Sequence, residues 1–388
     1  MEPLAVYLHW PFCKSKCPYC DFPSMGRCDE ELYRRFEDYL LRDLKQSLEE
    51  IDHRHVIRSV FFGGGTPSLM TPQSIERILD FLFQNFSLQN NVEITLEANP
   101  ATFDLEKMRN FRHAGVNRLS LGVQSFFDKN LRFLGRIYDG KQALEAAAVT
   151  SQIFDNFSFD FIYGHQSLKN LLQDLSMAVN FGCRHVSCYQ LTFEEDTPFY
   201  RRLQSGDIKQ MGESRAIKFH DAIGDFLESF GIFRYEVSNY STMNYESRHN
   251  LTYWEYDDYL GVGPGAHSRI SSDGNKKKEM IKISDPFLWE KALESNNTFS
   301  LVNTLTEKEK LTEALIMGLR LIKGIKKENL YSKISNIVVD SALSLERLLF
   351  LSKNGLITEK IFSKSILQLS EIGLKKMNSV VEMLCSNL

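Results

Sequence analysis

The 388 residues are 43% hydrophobic and 25% charged, with a formal net charge of −4. That is a globular composition, long enough for one large core and a smaller satellite domain. The near-neutral balance gives no electrostatic reason to expect a nucleic-acid partner. With no apolar run of membrane-spanning length and no secretory leader expected, the chain reads as cytoplasmic, with peripheral membrane contact left open.

Leu4–Trp10 reads as a first strand. Asp29 then opens a helix whose apolar residues Leu32, Phe36, Tyr39, Leu40, Leu44, Leu48 and Ile51 recur at spacings of three and four. Ser59–Phe62 is the next strand, ended by Gly63-Gly64-Gly65, and a helix follows from Pro72. Strands at Val92–Glu97, Arg118–Val123, Phe157–Ile162 and His185–Leu191 continue the alternation, with a helical segment between each pair. Repeated βα units predict a parallel sheet covered by helices. Six of them suit a partial (β/α)6 barrel, although an open doubly wound sheet has the same periodicity. The placement of cysteines, glycines, Glu97, Gln124 and Asp160 at or beyond strand C-termini favours the barrel, whose active sites form at that face.

Tyr253 to His267 is aromatic and glycine-rich, and Ser271-Ser-Asp-Gly-Asn275 with the three lysines after it reads as a solvated hairpin tip. Thr306 and Glu309 stand in capping-box positions, and Leu311, Ala314, Leu315 and Gly318 trace one helical face. The expected division is a barrel core over 1–240, a connecting segment over 241–305 and a small, mainly helical domain over 306–388.

Seven cysteines in a reducing compartment are not expected to form disulfides. Three fall together in Cys13-Lys-Ser-Lys-Cys17-Pro-Tyr-Cys20, while Cys28, Cys183, Cys188 and Cys385 are scattered. Thiolates spaced C-x3-C-x2-C on a loop bind zinc or an iron–sulfur cluster. Structural zinc closes on four ligands, usually in two separated pairs. Here there is one tight triple, and Cys28 lies beyond a proline and a glycine. The polar Lys-Ser-Lys spacer argues against chance clustering of core cysteines. A 4Fe–4S cluster held by three thiolates leaves one iron open to an outside ligand. Gly63-Gly64-Gly65-Thr66 after the second strand is either a tight turn or a place where backbone approaches a ligand.

C-x3-C-x2-C with an aromatic before the last cysteine, following a short first strand, resembles the radical SAM superfamily. The resemblance implies a 4Fe–4S cluster on Cys13, Cys17 and Cys20, with S-adenosylmethionine (SAM) chelating the open iron and cleaved there by one-electron reduction. Further residues resemble the branch of the oxygen-independent coproporphyrinogen III oxidases, also called dehydrogenases. That match implies SAM contacts from Tyr7, Tyr19, Gly64, Gly65, Thr66, Glu97, Gln124, Arg136 and Asp160. By itself Arg136 also suits a surface cation, whereas an acid at the strand end of Glu97 has little purpose without a cation or donor to meet. Gly164-His165-Gln166-Ser167 stands where that branch has Gly-Leu-Pro-x-Gln-Thr, so the loop beyond Asp160 is expected to be short.

Tyr189-Gln-Leu-Thr-Phe-Glu194, Thr197-Pro198-Phe199, Tyr235-Glu236-Val-Ser-Asn239 and Gly261-Val-Gly-Pro-Gly-Ala-His267 fit the same branch. Its dehydrogenases carry a further cysteine two positions past the third ligand and a longer N-terminal lead, whereas Phe22 stands at that position here. His249-Asn250-Leu-Thr-Tyr253-Trp254 resembles the H-N-x-x-Y-W signature of the branch's haem chaperones, the HemW type. The resemblance implies His249 as a haem-iron ligand, with the two aromatics packing on the macrocycle. Read without it, His249 is a hydrogen-bonded histidine and the aromatics are core. His9 reads as a packing or hydrogen-bonding residue, and His267 as facing the cofactor pocket. The implied function is haem binding and transfer to apo-haemoproteins, respiratory ones among them, with cluster-dependent homodimerisation and peripheral membrane association. The rivals are a radical SAM enzyme, either a coproporphyrinogen III dehydrogenase or a radical methyltransferase, and a structural iron–sulfur protein without SAM.

Overall fold

The computed structural model describes residues 2–26, 29–48, 51, 55–272 and 276–386. Strand β1 (Glu2–Trp10) carries the first apolar run. Strands β2 (Phe12–Cys13) and β3 (Met25–Gly26) pair in parallel and tie the two ends of the cysteine loop together. Helix α1 (Glu30–Ser47) starts where the Asp29 side chain accepts from the Leu32 amide, and it buries Leu32, Phe36, Leu40 and Leu44.

The βα alternation continues through β4 (His55–Gly64), α2 (Pro72–Asn85), β5 (Ser87–Ala98), α3 (Leu105–His113), β6 (Arg118–Gln124), α4 (Asp128–Phe133) and α5 (Gly140–Ile153). It ends with β7 (Phe157–Tyr163), α6 (Leu168–Asn180), β8 (His185–Gln190), α7 (Pro198–Gln204) and α8 (Glu213–Glu228). Strands β1, β4, β5, β6, β7 and β8 lie side by side in chain order, all parallel. A doubly wound sheet would reverse its order at a switch point. The strands do not reverse, and the architecture is the expected partial (β/α)6 barrel.

The chain then adds β9 (Phe233–Arg234), β10 (Asn239–Ser241), α9 (Arg248–Trp254), β11 (Asp258–Val262), β12 (His267–Ser272), β13 (Lys276–Lys282), α10 (Pro286–Ala292) and β14 (Phe299–Thr304). Strands β10 and β9 extend the sheet antiparallel beyond β8. On the other edge β11 pairs parallel with β1, and β12, β13 and β14 follow antiparallel.

The three lysines after the turn are strand residues rather than part of a solvated tip. Pairing of β13 with β12, from His267↔Ile281 to Ser272↔Lys276, turns alternate residues inward. Lys277 is buried, with its ammonium 3.1 Å from Asp258 Oδ1 and 4.0 Å from the centre of the Tyr256 ring. A buried charge is tolerated there because it is paired. Residues 273–275 of the turn lie outside the described residues.

Helix α11 (Glu307–Gly318) begins at a formed capping box: the Glu309 amide donates to Thr306 Oγ1 at 3.3 Å, and the Thr306 amide to Glu309 Oε2 at 2.8 Å. It buries Leu311, Ala314, Leu315 and Gly318. With α12 (Lys327–Tyr331), α13 (Asn336–Ala342), α14 (Leu345–Lys353), α15 (Lys360–Lys364), α16 (Glu371–Lys375) and α17 (Met377–Cys385) it encloses an apolar cluster separate from the barrel's.

Candidate functional site

The C-terminal ends of β1 and β4 carry the cysteine loop. Beyond β4 the backbone stays locked to it: the Gly65 amide donates to the Trp10 carbonyl at 2.7 Å, and the Thr66 amide to the Phe12 carbonyl at 2.8 Å. A Cβ on Gly64 would lie 2.7 Å from the His9 ring, and one on Gly65 2.6 Å from the Phe12 carbonyl oxygen. Gly64 also has φ +108. These glycines are needed for two chain segments to approach, which sets the height of the cysteine loop.

Cys13, Cys17 and Cys20 open onto one cavity of about 550 Å³, also lined by Tyr7, Tyr19, Gly64, Gly65, Thr66, Glu97, Gln124, Arg136 and Asp160. Every residue expected to touch the cluster or SAM meets in that space, which lies within the usual pocket range of roughly 300–1,000 Å³. The loop is pinned from below by the Phe199 amide, which donates to the Pro18 carbonyl at 2.9 Å. Burial pushes the Cys13 and Cys20 thiols up, partly offset by the Thr66 hydroxyl at Cys13 and the Phe22 amide at Cys20.

Arg136 is not a surface cation. Its Nη1 donates to Cys17 Sγ at 2.9 Å and to the Tyr19 hydroxyl at 3.2 Å, and its Nε donates to the Tyr138 hydroxyl at 3.1 Å. Tyr138 donates in turn to the Gly122 and Val123 carbonyls, each at 2.9 Å, so the end of β6 sets the guanidinium's position. The guanidinium thus fixes the Cys17 sulfur at the cavity wall. Among the described residues no fourth cysteine lines the cavity: Cys183 and Cys188 are buried in the barrel core and Cys385 ends α17. Cys28 lies outside the described residues. Three convergent thiols with room beside them fit a cluster whose fourth iron takes an outside ligand.

The polar wall suits a cationic molecule that carries a nucleoside. Glu97, near the end of β5, accepts from the Gly64 amide at 3.3 Å. Burial, reinforced by the Asp160 charge, pushes its carboxyl up to about 8, so the neutral acid is favoured until a cation or a further donor meets it. Gln124 closes β6 at φ +62 with its side-chain oxygen buried and unpartnered. Such backbone strain costs roughly 1–3 kcal/mol and concentrates at functional sites. Asp160 is held by the Ser120 hydroxyl at 2.7 Å and the Ser158 hydroxyl at 3.0 Å. After β7, residues 164–167 form the short loop, ending where Ser167 caps α6.

The histidines separate. His9 is buried and bridges the Pro23 carbonyl at 3.0 Å and the Tyr7 hydroxyl at 3.1 Å, as expected of a hydrogen-bonding residue. His267 does not face the cofactor cavity: it is exposed at the first position of β12, because the strand's alternation buries Ser268 and Ile270 instead. His249 lines the lower part of the cavity beside Phe61, with ring centres 4.7 Å apart. Its Nδ1 hydrogen-bonds Ser59 Oγ at 3.0 Å and its Nε2 the Tyr253 hydroxyl at 2.8 Å. Burial, and then the charge of Arg118, lowers its pKa to about 3, so the ring is neutral. Helix α9 is set there by Glu93, which accepts from the amides of Arg248 and His249, both at 3.1 Å. Tyr253 lines the cofactor cavity, whereas Trp254 lines a second one of about 400 Å³ against the C-terminal helices.

Sequence reasoning missed Arg118, Tyr189 and Asn250, which also line the main cavity. The available signal was alternation in β6, which places Arg118, Ser120, Gly122 and Gln124 on one face.

Residues 7–170 match the model of the Radical SAM superfamily. The chain is 38% identical over 273 residues to the heme chaperone HemW of Buchnera aphidicola subsp. Schizaphis graminum, spanning 70% of this chain and 71% of that protein. It is 32% identical to the mitochondrial radical S-adenosyl methionine domain-containing protein 1 of Dictyostelium discoideum, over 98% of this chain and 94% of that one. Among solved structures, the coproporphyrinogen III oxidase HemN of Escherichia coli, a radical SAM enzyme, matches with a TM-score of 0.81 at 20% identity, covering 100% of this chain and 91% of that one. That last match is a likeness of fold. Kinship above 30% along most of its relatives' length, on a barrel that gathers three cysteines at one mouth, makes this chain a member of the HemW-type family of the radical SAM superfamily.

Proposed function

We propose that this chain is a haem chaperone that binds haem, holds a SAM-ligated 4Fe–4S cluster, and passes haem to apo-haemoproteins. The observation that carries the reading is identity of 35–38% over most of the chain to proteins named heme chaperone HemW. Membership of the superfamily implies the cluster and SAM. We assign the cluster to Cys13, Cys17 and Cys20, and SAM to Tyr7, Tyr19, Gly64, Gly65, Thr66, Glu97, Gln124, Arg136 and Asp160. When bound, the pair supplies one-electron cleavage of the sulfonium. The chain's own part is to hold Cys17 through Arg136 and to present Glu97 and Gln124 to the nucleoside.

His249 is the proposed haem-iron ligand, which requires the Tyr253 hydroxyl to leave Nε2. Phe22, half exposed at the cavity rim, occupies the place of the dehydrogenases' further cysteine and argues against decarboxylation. Respiratory recipients, a homodimer, peripheral membrane contact, a cytoplasmic location and the division at 240 and 305 belong to the same proposal. Among the described residues no helix is long and apolar enough to cross a membrane.

The test is anaerobic titration of the reconstituted protein with haem and SAM, followed by spectroscopy. His249→Ala is expected to lose haem while keeping the cluster, and unchanged haem affinity would remove His249 from the site. Stoichiometric decarboxylation of coproporphyrinogen with SAM and reductant would replace the chaperone with an enzyme.

A further inference from the structure

Strand β14 is the last strand of the twelve-stranded sheet, with β13 on one side and, among the described residues, no strand on the other. Its ladder shows what the open side offers. The Leu305 amide donates inward to the Lys277 carbonyl at 2.9 Å. Alternation along the extended chain then turns the N–H and C=O of Asn303 towards β13 and those of Val302 and Thr304 away from it. The two faces of the strand are open as well: Leu301 is 41% exposed and Val302 58%.

Protein sheets guard such an edge with charges, proline, brevity or a covering element. The opposite edge of this sheet is guarded. There β9 has only two residues, Phe233 and Arg234, and Arg234 Nη2 donates to both Glu371 carboxylate oxygens, each at 3.0 Å. Strand β14 is six residues long, and residues 295–306 hold no charged side chain and no proline. The irregularity in its ladder, between Ile281 and Lys282, lies at the Phe299 end and leaves Val302 and Thr304 in register with Met280 and Lys278.

We infer that β14 is a docking edge for a second copy of this chain, which adds its own β14 antiparallel across a two-fold axis at Val302. A two-fold contact sets a surface against itself, so any charge on the strand would meet the same charge. An uncharged strand meets no such repulsion, which singles out a second copy over a charged partner. With the axis at Val302, the two Val302 residues exchange both main-chain hydrogen bonds, and Leu301 stands opposite the second copy's Asn303. Four strand spacings separate β14 from β1, the strand that leads into the cysteine loop, or about 19 Å at roughly 4.8 Å each. The pairing therefore asks for neither cluster nor haem, and it is distinct from the cluster-dependent dimer that the family resemblance implies.

The test is anaerobic sedimentation equilibrium of the full chain, with and without the reconstituted cluster. The native chain is expected to dimerise in both states, with dissociation constants within about threefold of each other. Val302→Lys and Val302→Glu, each alone, should weaken the dimer at least tenfold, because like charges then meet at the axis. Their melting temperatures should stay native. Mixing the two variants should restore the dimer, since unlike charges then face each other. In the native chain, raising the concentration should slow amide hydrogen exchange at Val302 and Thr304 and leave Asn303 unchanged. That measurement needs no variant, so it decides the matter even if the variants misfold. A native chain that stays monomeric without the cluster overturns the inference. So does a dimer that both charged variants leave intact, or one in which the Val302 amide stays unprotected.

Discussion

His249 uses both ring nitrogens inside the protein, on Ser59 and on Tyr253, so iron ligation competes with a hydrogen bond already made. A net hydrogen bond contributes about 1 kcal/mol. Tyr253→Phe is therefore expected to raise haem affinity roughly fivefold by the same measure, read as a leftward shift in an anaerobic spectral titration. Weaker haem binding in that variant would mean that the hydroxyl contacts the ligand itself. The motif's spacing is visible in the sequence, but the pairing with Ser59, 190 positions away in the chain, is not. Arg136 illustrates the same boundary. Its charge is evident from the sequence, yet its place against Cys17 depends on Tyr138 hanging from the end of β6.

Two element-level contacts govern the cavity mouth and its flank. The β1–β4 pairing runs to Trp10↔Gly64, where an added methyl would meet the His9 ring at 2.7 Å and the Trp10 carbonyl at 2.8 Å. Gly64→Ala also places a side chain at φ +108. It is expected to cost about 2–4 kcal/mol through overpacking and backbone strain. Thermal melting of the metal-free chain checks this, and iron content after reconstitution should fall with it. On the outer flank, Asp258 opens β11 and joins His55, Lys277 and Ser271. Burial alone would raise its carboxyl, but the His55 hydrogen bond, the Lys277 charge and the Ser271 bonds outweigh that and hold it down to about 2. Its stabilisation is full above the unfolded value of 3.8 and is lost as pH falls towards about 2. Asp258→Asn should therefore lose about 2 kcal/mol at pH 7 and little near pH 2, in denaturant titrations at both pH values. An equal loss at both would show that shape rather than charge holds the flank.

Across the whole molecule, a few polar bridges join the barrel to the helices beyond residue 306. Arg320 donates to the fully buried Glu236 at 2.9 and 3.2 Å and lies 4.5 Å over the Trp254 ring. Glu313 accepts from Tyr256 at 2.8 Å and from Arg269 at 2.7 Å. Arg320→Met strands the Glu236 carboxylate in the interior and is expected to cost about 3 kcal/mol. Adding Glu236→Gln should recover much of that loss, because the stranded charge is then gone. Chemical denaturation of the two single variants and the double variant measures the coupling, and simple additivity would rule out this pair as the join.

The sequence by itself determined the six barrel strands, the cysteine triple and the capping of α11, because each is written in residues a few positions apart. Periodicity of two or of 3.6, a three-thiolate loop and a capping box are local patterns, and local physics reads them. It could not determine that β11 would pair with β1, because those strands lie more than 200 residues apart in the chain, or that Lys277 would turn inward, because that depends on the register of β13 on β12 and on Asp258 standing beside it. Nor could it place His267 outside the cavity or draw His249 onto Ser59 and Tyr253. Those outcomes depend on which face of each strand the partial barrel turns inward. Only the tertiary structure decides that, by balancing burial against the pairing of every charge it encloses.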